Sequence, residues 1–444
     1  MTQQTTDYIA AYLDAHDGFE RNGASQDPAW VRDLRRRAIR RFGELGLPTA
    51  RRGNEEWKYT DVGPVARAGF QPLVDSEPVA IPARDLIRHT LGEGAWSRLV
   101  FVDGAYAPDL SDTASLPAGV TLLSLSDALD QSPALVQAHL AQGVAFDDNA
   151  FAALNTAFLH NGAFLHVPDR AEVQEPIQLL FLSTGRAEGA AVQPRTMILA
   201  GNESRVTIVE SYAGLTGEAY LTNAVTEVAV GDGASVRHYR VQQESEAAFS
   251  VGNTHVLLGR DSHYASVVTD IGGRLVRNNL RVLTGDEGSH CMLNGLYLIT
   301  RSQHVDNQVV IDHARAHTTS RELYKGVLSG RSRSVFHGSI LVRKDAQKVS
   351  ANQADKNLLL SNEAEADTKP AFWIYADDVK CAHGAACGQL DEAALFYMRA
   401  RGIGEEEART MLVRAFVSEV VDSINEPTVR GYIEPLVAAK LREM

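Results

Sequence analysis

The run from Tyr375 to Leu390, YADDVKCAHGAACGQL, holds the best chemical candidates in the chain. Cys381 and His383 stand two residues apart, so on a strand they leave the same face and present a sulfur and an imidazole side by side. That donor pair suits zinc, copper(I) or iron-sulfur chemistry. It is half a site: a closed structural zinc takes four ligands, and no second Cys/His pair lies nearby. The remaining ligands would have to come from another strand or another chain, and from composition alone a Cys-x-His pair with no metal role stays open. Cys387, beside a glycine turn, either joins in binding or fills space. His313 and His317 would share a helix face, but on a strand they stand roughly 13 Å apart, too far to chelate one ion. His304 and Asp306 could share a strand face and make only hydrogen bonds. Cys291, within SHCMLNGLYL, reads as a small buried core residue rather than a nucleophile.

Several other chemistries fail on inspection. No GxxxxGK[ST] phosphate loop occurs, and neither GxSxG nor HExxH is present. The nearest glycine phrase, Gly402-Ile403-Gly404, is followed by three glutamates that would repel a pyrophosphate. The 444 residues carry 43 Lys and Arg against 56 Asp and Glu, a net charge of -13, which argues against nucleic acid or anionic lipid as the main partner. Three cysteines, all beyond residue 290, make no disulfide framework, so a reducing compartment is expected, by default the cytoplasm. The opening MTQQTTDYIAAYLDAHDGFE has neither a basic n-region nor an apolar core, so no export signal is expected. Residues 149–168 carry no acid or base over the length of a membrane span. Asn149, Asn155, His160, Asn161 and Pro168 break that window, and a buried helix entering a strand accounts for it better.

The elements that would position these residues fall into three regions: 1–160, mostly helical; 161–388, a parallel β-helix core; and 389–444, helical. In the first, Ile9, Ala10, Tyr12 and Leu13 cluster at helical spacing. The basic run Arg32–Arg41 reads as one solvated helix face, ended by Pro48, Arg51, Arg52 and Gly53. From about Phe164 short β-rich runs follow one another, each closed by a glycine, charged or amide turn. Similar turns recur at Gly201, Gly231, Gly259 and Gly285, at spacings of 30, 28 and 26, with a fifth at Gly330 a further 45 residues on. Such quasi-regular strands favour a β-solenoid, in which each coil buries its apolar face against the next, over a sandwich or barrel. Beyond Gly388, Asp391 opens a helix that closes at Gly402. A second helix begins at Glu405–Glu407, with Ala408, Met411, Leu412, Ala415 and Phe416 at helical intervals, and a third runs from about Val429 to Leu441.

Long phrases in the last part of the chain resemble the SufD family, subunits of the SUF iron-sulfur cluster assembly scaffold. They are NGLYL from Asn294, QHVDN from Gln303, IDH from Ile311, SRELYKGVLSG from Ser320, AQK from Ala346, NLLLS from Asn357, ADDVKCAHGAACGQLDE from Ala376 and LFYMRARGI from Leu395. EEWKYT, from Glu55, is similar to the phrase that opens this family's core. The resemblance implies a mainly β protein, a right-handed parallel β-helix flanked by N- and C-terminal α-helical regions. It implies a non-catalytic scaffold subunit that pairs with a paralogous β-helix subunit, SufB, and an ABC-type ATPase, SufC, which explains the missing phosphate loop. By match to the family's KCxHGA phrase, Cys381 and His383 would be cofactor and metal ligands of a transient cluster at the SufB interface, with none held stably by the isolated chain. The C-terminal helices would dock the ATPase through Leu395, Phe396, Met411, Leu412 and Phe416. Homodimerisation of the isolated chain stays open. The alternatives are SufB itself, which shares the KCxHGA phrase, and a stand-alone β-helix enzyme acting on polysaccharide. The sequence departs from the family pattern at Trp373, Ala382, Ala386 and Cys387.

Overall fold

The computed structural model describes residues 3–22, 27–50, 54–74, 79–92, 96–144 and 146–444; Arg51, Arg52 and Gly53, expected to end the first helical segment, lie outside these residues. From Gly162 onward, short strands alternate between two parallel sheets wound into a solenoid of about eight coils. The first sheet takes Gly162–Val167, Arg195–Ala200, Leu221–Val230, Phe249–Leu258, Leu275–Thr284, His304–His313, Arg333–Val342 and Glu365–Ile374. The second takes Ile177–Ser183, Arg205–Gly214, Ser235–Gln243, His263–Asp270, His290–Ile299, Thr319–Leu328, Ser350–Leu359 and Lys380–Gly388. Each strand pairs with the equivalent strand one coil away, so backbone groups buried in the wall find partners.

The recurrent turns are where the chain leaves the first sheet for the second. The amides of Gly231 and Gly259 bond the carbonyls of Ala200 and Val230, each at 2.8 Å, in the preceding coil. A left-handed residue follows each turn glycine: Glu203 (φ 59), Gly233 (φ 64), Asp261 (φ 51) and Gly288 (φ 72). The fifth glycine, Gly330, lies on the opposite edge, between Thr319–Leu328 of the second sheet and Arg333–Val342 of the first. Its longer spacing is therefore a change of edge. On the original edge the pattern continues with His317 (φ 58) and Lys348 (φ 62) in the left-handed places, so the glycine signal disappears while the geometry persists.

Inside the solenoid, side chains stack in columns set by the register. Two phrase glycines mark where tyrosine rings from the next coil cross the interior. A Cβ at Gly295 would lie 2.2 Å from the Tyr324 ring, and one at Gly326 would lie 2.0 Å from the Tyr297 ring. Cys291 is fully buried in the same core, as its composition suggested.

The N-terminal region contains the helices Gln3–Asn22, Ala29–Leu45, Gly63–Ala68, Ala83–Ile87, Leu125–Gln131, Pro133–His139 and Ala150–Ala157. It also supplies strands that finish the solenoid: Arg98–Val102 pairs parallel with Ile177–Ser183, and Thr121–Ser124 pairs antiparallel with Gly162–Val167. The apolar window at 149–168 is the wholly buried helix Ala150–Ala157 running into Gly162–Val167. The arginine run is not all solvated. Arg35 is fully buried, donates to the Leu159 carbonyl at 2.7 Å and pairs with Glu20 and Asp27, because it shares the helix face of Val31, Leu34 and Ala38.

EEWKYT clamps this region to the solenoid. Trp57 stacks on Phe151, the Arg277 guanidinium lies 4.1 Å from a Trp57 ring centre, and the Thr60 hydroxyl bonds Asp306 and His304. His304 and Asp306 thus share a face, as expected, but Asp306 is buried and ion-paired with Arg277 rather than exposed.

The C-terminal helices Glu392–Ala400, Glu405–Val421 and Pro427–Leu441 lie on the outer face of the second sheet, not over the solenoid's end. Val413, Val417, Val420, Ile433 and Val437 join Leu296, Leu298, Leu323 and Val327 in one buried cluster. The Asp391 side chain caps the first of these helices by accepting from the Ala393 amide at 2.9 Å, and Gly402 (φ 89) follows its end. The stripe expected at Met411, Leu412, Ala415 and Phe416 is not the buried one: the β-branched face Val413–Val417–Val420 packs inward, leaving Met411 and Ala415 exposed. No helix among the described residues is long and apolar enough to cross a membrane.

Candidate functional site

Cys381 and His383 lie on Lys380–Gly388, the last strand of the second sheet. One edge of this strand pairs with Ser350–Leu359, Cys381 opposite Ala351, His383 opposite Gln353 and Cys387 opposite Asn357. The other edge has no strand partner among the described residues, and the same holds for Glu365–Ile374 in the first sheet. Ala351, Gln353 and Asn357 are all buried, so the register continues the interior columns into Cys381, His383 and Cys387 at a level where no further coil covers them. His383 is exposed and Cys381 half-buried. The sequence-derived pair is therefore brought together on one face at the uncapped end.

The geometry around the pair is specific. The His383 ring lies 4.3 Å from the Phe372 ring at 34°, so the last strands of the two sheets meet here across the end of the solenoid. Burial pushes the Cys381 thiol up, a bond with the Ala351 backbone opposing it, so metal uptake at this sulfur would release a proton. Burial and the negative charge of Asp355 push the Cys387 thiol up as well. Cys387 neither fills space nor joins Cys381 on a single ion: it is exposed, and six residues of strand separate the two sulfurs by roughly 20 Å. Trp373, Ala382 and Ala386, the other departures, are exposed on the same end.

Beneath the end face lies a buried polar floor. Gln353 donates to Glu322 at 2.8 Å, and Tyr297 and Asn357 bond Asp355 at 3.3 and 2.7 Å. Burial raises Glu322 to about 8 and Asp355 to about 6, so Glu322 holds its proton at neutral pH. Sequence reading missed this floor and Phe372, because strand alternation signals which residues point inward but not which coil is last. No group of three or more His, Cys, Asp or Glu among the described residues could hold a metal ion, and the pair remains half a site. His313 is buried between the Thr318 and Ser320 hydroxyls at 2.7 and 2.9 Å, while His317 sits in the turn.

On the C-terminal helices the five residues matched to ATPase docking separate. Leu395 is buried, Leu412 and Phe416 are half-buried, and Phe396 and Met411 are exposed, Phe396 by 73%. Tyr397, exposed by 58%, extends the open patch.

Comparison with known proteins covers nearly the whole chain. Residues 2–179 match the model of the SufBD protein N-terminal region, and residues 181–416 match the model described as SUF system FeS cluster assembly, SufBD core domain. The chain belongs to the SufBD family of iron-sulfur cluster assembly proteins. An iron-sulfur cluster assembly SufBD family protein of Synechocystis is 32% identical over 90% of this chain and 88% of its own length. The iron-sulfur cluster assembly protein SufD of Escherichia coli is 28% identical over 96% of both chains, and that of Bacillus subtilis 26% over 99% and 97%. The SufD resemblance seen in the sequence is borne out, and the polysaccharide reading gives way to this assignment.

Proposed function

We propose that this chain is a non-catalytic scaffold subunit whose uncapped solenoid end docks a paralogous β-helix subunit, SufB-like, and completes a transient iron-sulfur cluster site with it. The observation that carries the reading is half-buried Cys381 beside exposed His383 on a strand with one free edge: two soft donors at the uncapped end need their remaining ligands from a partner. The partner's own last coil would pair the free edges and cover Trp373 and Tyr375, exposed by 57% and 62%. An isolated chain with half a site would not hold a cluster stably. The ATPase that supplies energy, SufC-like, would dock through the patch of Phe396, Tyr397 and Met411, in the cytoplasm where the thiols stay reduced.

Photo-crosslinking tests the docking directly. A crosslinker at Ala385, on the last strand, is expected to capture the β-helix partner, while one at Asp109, exposed at the opposite end, is not. Equal capture from both positions would contradict the reading, and capture of a second copy of this chain alone would replace the partner by a homodimer. For the ATPase, deleting residues 391–444 is the wrong probe, since it would bare the apolar outer face around Leu296 and Val327. Phe396→Ser with Met411→Ser spares that face and should abolish co-purification of the ATPase; retained co-purification would move the docking surface elsewhere.

A further inference from the structure

A cleft of about 360 Å³ lies between the N-terminal region and the outer face of the first sheet, far in sequence from the Cys381–His383 end. Its floor is polar: Asn253 and His255 point out from one strand, and in the next coil Asn279 stands opposite Asn253 and Arg281 opposite His255. Its wall is held by Glu227, whose carboxylate accepts the amides of Ala141 and Gly143 at 3.0 and 3.3 Å. The wall comes so close that a Cβ at Gly143 would sit 2.5 Å from His255 Nδ1. Clefts between a helical layer and a rigid sheet face are common small-molecule sites.

One group in it is unaccounted for. Asn253 is buried, exposed by only 5%, and its amide nitrogen has no hydrogen-bond partner among the described residues. Its orientation follows from its neighbours rather than from choice. Asn149 spends its oxygen on the Ala152 amide in a helix cap, so its nitrogen must donate, and it donates to Asn253 Oδ1 at 2.8 Å. Asn279 spends its oxygen on Arg277 Nε, and its nitrogen likewise donates to Asn253 Oδ1 at 3.0 Å. With both neighbours donating, the Asn253 oxygen accepts twice, and its two N–H donors, buried at the floor of the cleft, have no partner among the described residues. Close by, Arg281 is exposed and forms no ion pair among the described residues, whereas Arg277 is neutralised by Asp306.

We propose that this cleft binds a small molecule bearing an oxyanion, phosphate or carboxylate, accepted by the Asn253 amide and the Arg281 guanidinium with His255 beside them. A guanidinium and a fixed buried amide both donate, and an oxyanion is the acceptor that satisfies both. With Arg277 paired to Asp306, the lining carboxylates Glu56 and Asp148 outweigh Arg281, so the ligand carries a single oxyanion beside Arg281 and its remaining groups are donors such as hydroxyls rather than further negative charge.

Isothermal titration of the full-length chain with ribose 5-phosphate and with gluconate, against chloride at matched ionic strength, separates phosphate from carboxylate as the source. Binding of either is expected in the wild-type chain. Arg281→Gln should weaken it about tenfold or more, the loss of one charge-assisted hydrogen bond. Asn253→Asp keeps the acceptor for Asn149 and Asn279 but replaces the free donor by a second oxygen, and should abolish binding with the melting curve still cooperative. If Asn253→Asp does not fold, the exposed Arg281→Gln alone decides. Absence of heat with both ligands in the wild type, or binding unchanged in Arg281→Gln, would overturn the proposal.

Discussion

The two ends of the solenoid are built differently. At the N-terminal end, Thr121–Ser124 runs antiparallel along the first sheet and Ala105–Tyr106 runs antiparallel along Arg98–Val102, so both sheets finish in strands of opposite direction. Beside that end the helix Ala29–Leu45 packs with Leu125, Leu129 and Val136 against Phe164, Met197 and Leu199 on the outer face of the first sheet. At the C-terminal end both last strands keep the parallel direction and full length, with no strand on their outer edges among the described residues. Unprotected edges invite pairing, and proteins that must not pair there block them. The chain blocks one end and leaves the other open, and the open end is the one that carries Cys381 and His383.

The difference implies that stability resides in the closed end and the middle coils, with the proposed cluster site in the last coil. The largest expected loss is at the closed end: Arg35→Ala removes a guanidinium bonded to Leu159, Glu20 and Asp27 and should cost about 3 kcal/mol, read from urea denaturation. In the middle coils, Gly326→Ala forces a methyl against the Tyr297 ring 2.0 Å away. A loss of about 2 kcal/mol is expected, again from the denaturation midpoint; a neutral result would mean the Tyr297 ring can move aside.

Much of the solenoid was legible in the sequence, for stated physical reasons, but the contrast between its ends was not. Short alternating runs and repeated turns pointed to a solenoid, because each coil meets the same packing problem as the last. The turn signal faded beyond Gly288 because His317 and Lys348 adopt the left-handed conformation without being glycine. The strand-sharing of Cys381 and His383 followed from a spacing of two. Arg35 was misread because one arginine in a basic run can be buried when its register matches Val31 and Ala38. The buried face of Glu405–Val421 was misread because valines at 413, 417 and 420 form a second apolar stripe beside the one at 411, 412 and 416. The capping strands at Arg98–Val102 and Thr121–Ser124 were not foreseen: they are single short runs outside the repeat.

A smaller effect sharpens the comparison beneath the open end. Glu322, raised from 4.5 to about 8 by burial, binds its proton more tightly in the folded chain than in the unfolded one. Its contribution to stability is therefore full below pH 4.5 and is lost as pH rises to about 8. Glu322→Gln should flatten that decline and leave the variant relatively more stable at alkaline pH, as thermal melts across the range would record. His313 works in the opposite sense: burial lowers it from 6.5 to about 4, so its contribution is present above pH 6.5 and is lost as pH falls toward 4.

The smallest expected change in stability is at the open end itself. Exposed positions away from the core move stability by no more than about 0.5 kcal/mol, so His383→Ala should melt like the parent chain. That separation allows the decisive measurement: iron and acid-labile sulfide per complex, after reconstitution with the proposed β-helix and ATPase partners, for the parent, His383→Ala and Cys387→Ala. Assemblies of unchanged composition, with cluster content several-fold lower in His383→Ala and unaltered in Cys387→Ala, are the expected result. Unchanged cluster content in His383→Ala would contradict the assignment of the open end as a shared cluster site.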